Sequence, residues 1–94
     1  KHFIVEATYR VPFQQIKEKI PQHWAFLQKG YDLGLFSVPA EMPPIGGFLV
    51  ARGSTKIELE AFFEDEPFYV ANLARFTFTE FLPAKYQLEG HGYE

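Results

Sequence analysis

Apolar residues in the stretch HFIVEATY alternate, with Phe3, Val5, Ala7 and Tyr9 on one side and Ile4, Glu6 and Thr8 on the other. A period of two marks a strand, here residues 2 to 9. Beyond it the period lengthens. Phe13, Ile16, Ile20, Trp24, Leu27 and Tyr31 recur three or four apart and so project to one side of a helix. Pro12 suits the first turn of that helix, where a missing N–H goes unnoticed. Pro21 interrupts it, which predicts either a kink or a second helix opening at Pro21. Gly30 is the expected stop, with Lys29 complementing the helix dipole.

LGLFSV predicts a second strand, ended by the stiff loop PAEMPPIGG. GGFLVAR is a third, residues 46 to 52, whose paired glycines permit close backbone approach or a bulge. A second helix follows: Thr55 and Glu58 form a capping box, and Ile57, Ala61 and Phe62 supply the expected buried side. PFYVANL reads as a short helix opening at Pro67. ARFTFTEFL, residues 74 to 82, alternates strictly and closes the pattern as a last strand. The order β-α-β-β-α-β is the ferredoxin-like α+β arrangement, an antiparallel sheet with helices over one face. The strand aromatics argue against a fully wet opposite face. Two such sheets facing each other would make a dimeric α+β barrel. One domain is expected over residues 1 to 94, with a polar C-terminal tail at 82 to 94.

Composition narrows the function classes. Eleven Phe, five Tyr and one Trp in 94 residues can fill a small core and leave aromatic surface for a pocket or a partner. Nine basic against twelve acidic residues, a net charge of −3, lack the positive footprint that nucleic acid requires. The chain has no cysteine, which removes disulfides and thiolate chemistry. No stretch approaches a membrane span of about 20 apolar residues, so a cytoplasmic protein without a membrane partner is expected. His2, His23 and His91 are scattered, so neither a metal site nor a cofactor is expected. No phosphate-cradling loop or nucleophile elbow occurs; Ser54 reads as helix-entry chemistry.

His23 borders the helix's apolar stripe, where a histidine is ordinarily a satisfied packing residue unless a second polar group converges on it. The acidic run Glu64, Asp65 and Glu66 sits unfavourably at the C-terminal end of the second helix. Asp65 and Glu66 either complement the N-terminus of the short helix at Pro67 or serve as a functional carboxylate.

HWAFLQKG, SVPAE, GGFLVAR and EDEPF, followed by the aromatic-rich final strand, resemble the YciI-like family over nearly the whole chain, to about Leu82. That family's pattern is a histidine on the first helix, a Ser-Gly-Pro-like segment, a Gly-Gly strand and an Asp-Pro-aromatic turn. The resemblance implies a homodimeric α+β barrel with a His and Asp dyad in a cleft, and a dehydrochlorinase of hydroxylated rings among its relatives. Carried over, His23 matches the histidine. Glu66, directly before Pro67 and Phe68, falls where the family has aspartate, with Asp65 as a possible substitute. Val38 stands in place of the usual glycine, and Ile20 in place of an arginine that often precedes the histidine. Ser37 and Pro39 match.

A carboxylate on one imidazole nitrogen fixes the tautomer and makes the other nitrogen a better base. The resemblance therefore implies lyase- or isomerase-type proton transfer on a small ring compound. His23 with Glu66 or Asp65 would be catalytic, and Ser37, Trp24 and Phe68 would line an aromatic pocket. The alternatives are a non-catalytic small-molecule-binding barrel, an assembly module whose sheet face packs a partner, and a cofactor-free monooxygenase or muconolactone-isomerase-like enzyme on the same barrel.

Overall fold

The alternating segment at the start of the chain forms β1 (His2–Tyr9), and both of its edges are paired. A computed structural model of the chain describes residues 1–36, 46–53 and 55–82. The helical stretch divides into α1 (Phe13–Lys17) and α2 (Ile20–Asp32). Then come β2 (Gly46–Arg52), α3 (Lys56–Phe63), α4 (Pro67–Val70) and β3 (Ala74–Phe81). The strands make an antiparallel sheet in the order β2-β1-β3. Of the expected strand at residues 33 to 38, a single bridge from Phe36 to Ala51 lies within the described residues. The rest of that segment, with Ser37, Val38 and Pro39, lies outside them, as do Ser54 and the tail from residue 83.

Register decides what each sheet face carries. Phe3, Val5 and Ala7 share one face with their partners Ala51, Leu49 and Gly47 on β2 and with Phe78 and Phe76 on β3. That face is covered by Phe26 and Leu27 of α2 and by Leu59 and Phe63 of α3, which together form the main core. A smaller cluster joins Ile16, Phe68 and Ala74, with Tyr9, Ile20 and Phe76 packed against it. The opposite face carries Ile4, Glu6, Thr8, Phe48, Val50, Arg75, Thr77 and Thr79. Most strand aromatics therefore lie under the helices, and the open face mixes Ile4, Phe48 and Val50 with polar neighbours.

Pro21 resolves the kink-or-break choice in favour of a break. Lys19 leaves helical geometry with φ −106 and ψ 5, and Pro21 falls in the first turn of α2, where its absent N–H has no intrahelical acceptor to miss. Gly30 does not end the helix. It is buried inside α2, and a Cβ there would lie 2.1 Å from Cε2 of Phe36, so the residue is small to admit that ring. The stop is four residues later, at Gly34, with φ +76, the left-handed geometry that follows helix ends.

The helix faces also need correction. Trp24 is 60% exposed; the buried face of α2 is His23, Phe26, Leu27 and Gly30. At about 100° per residue, Trp24 cannot share a face with its neighbour His23. On α3, Ile57 is 78% exposed and Ala61 is exposed, whereas Leu59 and Phe63 are buried and Phe62 is half-buried. The capping box is formed: Thr55 Oγ1 accepts from the Glu58 N–H and Glu58 Oε1 from the Thr55 N–H, each at 3.2 Å.

Candidate active site

His23 reaches the interior because it lies one helical turn before Phe26 and Leu27, which face the core. It is 7% exposed. Its imidazole lies flat against Phe68, with ring centroids 4.3 Å apart and planes 16° from parallel. Phe68 is fixed in turn by the smaller core cluster, so the aromatic floor under the histidine belongs to the fold.

The second polar group arrives from across the sequence. Glu66 is fully buried and caps α4, its Oε1 accepting the Tyr69 backbone N–H at 2.8 Å. Its Oε2 lies 2.5 Å from Nδ1 of His23. Both carboxylate oxygens are thus engaged, one by the helix terminus and one by the imidazole. Pro67 contributes by keeping Glu66 extended, at φ −70 and ψ 130, since the residue before proline avoids the α region. With Nδ1 donating to the carboxylate, the neutral ring carries its lone pair on Nε2. That is the geometry of a histidine base with an orienting carboxylate. Capping and pairing, alternatives when only spacing is known, are performed by the same side chain.

Asp65, in the turn that links α3 to α4, is exposed and stands apart from this pair. Trp24, on the outer side of α2, does not border the cleft beside His23, whereas Phe68 does. Ser37 lies outside the described residues. That cleft, about 30 Å³ in volume, is lined by Ala7, Tyr9, His23, Leu27, Gly47 and Phe68 among others. Its cause is visible in the sheet register. The row Leu49–Val5–Phe78 is bulky, but the next row, Gly47–Ala7–Phe76, has two small members, and the helices span the gap. Small residues at matched positions of two otherwise bulky strand faces were the available sequence signal, and it becomes meaningful only once the register is known.

Tyr9, which strand alternation alone accounts for in the sequence, also belongs to the site. Its hydroxyl is buried and has no hydrogen-bond partner among the described residues. Burial, and secondarily the negative charge of Glu66, raise its pKa above the usual phenol value. Among the described residues, no cluster of three or more His, Asp or Glu is arranged to hold a metal ion, and no helix is long and apolar enough to cross a membrane.

A solved structure of 5-chloro-2-hydroxyhydroquinone dehydrochlorinase (TftG) from Burkholderia phenoliruptrix AC1100, in complex with 2,5-dihydroxybenzoquinone, superposes on this chain with a TM-score of 0.77. The match covers 90% of this chain and 97% of that one, at 18% sequence identity. The likeness shows a shared fold. No protein-family model matches the chain, and no curated protein sequence does.

Proposed function

We propose that this protein is a small-molecule enzyme of the YciI-like type, in which His23 is the base and Glu66 its orienting carboxylate. The observation that carries this reading is the buried contact of 2.5 Å between His23 Nδ1 and Glu66 Oε2, at the wall of an apolar cleft. A buried ionisable pair beside a cavity is a typical place for proton transfer. The dehydrochlorinase that shares the fold, bound to a hydroxylated quinone, supports a ring compound as substrate.

His23 Nε2 takes a proton from a ring hydroxyl or an acidic ring carbon, and Glu66 stabilises the imidazolium that results. In an elimination the substrate reacts as its keto tautomer, in which the carbon bearing the leaving group already carries a hydrogen. Loss of a ring O–H or C–H proton to His23 drives the freed pair into a new double bond to that carbon, the leaving group departs as its anion, and the imidazolium passes its proton to solvent. An isomerisation returns that proton at another ring position. Phe68, flat against the imidazole, holds the ring plane of His23 and offers an aromatic wall to the substrate. The functional assembly in this reading is a cytoplasmic homodimer, joined through the open sheet face where Ile4, Phe48 and Val50 lie among polar neighbours.

The test is a screen of chlorinated hydroquinones for chloride release, and of enolisable cyclic ketones for isomerisation, with His23→Ala as the paired variant. The expected result is activity that falls by about 10² to 10⁴ in the variant with an unchanged circular dichroism spectrum. Equal turnover by the variant would overturn the assignment. Binding without turnover, insensitive to His23→Ala, would favour a non-catalytic binding barrel.

A further inference from the structure

Among the described residues, the hydroxyl of Tyr9 takes part in no hydrogen bond. Tyr9 ends the core-facing row of β1, and its ring meets Phe68 edge-on, with centroids 6.0 Å apart. Strand alternation accounts for an aromatic ring there but not for the oxygen, because phenylalanine would pack the same ring without a buried hydroxyl. The oxygen is shut off from water and has no hydrogen-bond partner among the described residues, an arrangement that opposes folding. Such a group points to a partner that is not among the described residues.

The cleft says what that partner is. Among its described lining residues, Tyr9 and His23 alone have polar side chains; the others are apolar or glycine. Phe68 touches both, its face on His23 and Tyr9 at its edge. The Tyr9 oxygen presents no surface to the cleft as it stands, so a ligand must spread the cleft walls to reach it. It then meets one imidazole, one phenol and otherwise hydrocarbon. Burial and the nearby carboxylate keep the Tyr9 phenol protonated, so it serves as a donor.

Resting on the proton-transfer reading above, we propose that Tyr9 holds the ring-borne oxygen of the substrate, donating its O–H to that oxygen while His23 takes the proton. As the proton leaves for His23, the remaining electron pair spreads onto the oxygen that Tyr9 holds. The hydrogen bond gains strength as its acceptor becomes anionic, which favours the transition state over the bound substrate. Tyr9 keeps its own proton throughout. The substrate class is thereby narrowed to flat rings with a hydroxyl or carbonyl oxygen at the edge that enters beside Phe68.

The experiment compares 4-chlorophenol with 4-chlorotoluene, two rings of similar size that differ in the oxygen, by NMR titration of the full chain. The wild type is expected to bind the phenol about 10-fold more tightly. Tyr9→Phe should bring the two affinities together, while melting at the same temperature as the wild type or higher because an orphaned hydroxyl is gone. A preference that persists in Tyr9→Phe, no preference in the wild type, or a variant that melts several degrees lower would each overturn the proposal. Its failure is separable from that of the dyad. Loss of turnover in His23→Ala with an oxygen preference indifferent to Tyr9 leaves the dyad standing alone; the reverse result leaves Tyr9 as the anchor of a binding site.

Discussion

Around Phe63, five other rings, those of Phe26, Phe36, Phe62, Phe76 and Phe78, have centroids within 6.0 Å. One turn back along α2, at similar depth, the interior holds an imidazole, a carboxylate and a phenol without a hydrogen-bond partner among the described residues. Both regions are buried, and both rest on the same sheet face. In the first, apolar surface leaves water and every contact repays the ordering of the side chains that make it. In the second, desolvated polar groups oppose folding except where they pair. The rings around Phe63 thus supply the stability with which the polar end can be maintained. A fold of this size carries a strained or polar site only when the remainder of its core is efficient.

Weakening the efficient half should have the largest effect. Phe3→Ala removes a fully buried ring from the main core and is expected to cost about 3–5 kcal/mol in urea unfolding, enough to leave little of the domain folded. Glu66→Ala probes the polar half. It strips the cap from α4 and leaves His23 buried without a partner, an expected loss of about 2–4 kcal/mol. Glu66→Gln keeps an oxygen for the Tyr69 N–H and should recover at least the cap, about 1 kcal/mol. Activity in the proposed reaction should fall in both variants, so stability and function separate at this residue.

Ala7→Leu tests whether the small row is the origin of the cleft. The larger side chain should fill the space beside His23 and abolish ligand binding at a stability cost of about 1–3 kcal/mol, with the dyad still formed. Its imidazole resonances would report the latter. The smallest expected effect is alkaline. Because the folded-state pKa of Tyr9 is raised, the unfolded chain releases that proton first. The stability tied to this group is intact below about pH 10 and declines as pH rises through the folded value. Tyr9→Phe should flatten the decline in a series of denaturant titrations.

Local pattern exposed much of the architecture. The alternation in β1 and β3, the capping box at Thr55 and the short helix at Pro67 each depend on neighbours within a few residues, and sequence shows those directly; at Pro21 it showed an irregularity but left kink and break open. The helix faces were less legible. Ile57 and Trp24 have the right chemistry for a core and lie outside it, because a hydrophobic residue gains from burial only where another surface arrives to cover it. Gly30 has the chemistry of a helix stop, yet it is governed by the Phe36 ring lying against it. For the site, His23 and Glu66 could be nominated from the helix pattern, the turn and the family resemblance, but the choice between Glu66 and Asp65 needed the backbone, which turns one inward and the other to solvent.

Local pattern and composition set the order of most strands and helices along the described chain, the boundaries at capping residues, and the absence of any cysteine or basic run. These follow from short-range sterics and from composition, which no folding partner alters. The tertiary structure decided the contact of His23 with Glu66 across 43 positions, the cleft opened by Ala7 and Gly47, and the stranded hydroxyl of Tyr9. Each depends on strand register and helix docking, where a shift of one residue exchanges the inward and outward side chains. Such meetings are properties of the packed molecule as a whole, so they become visible only in three dimensions.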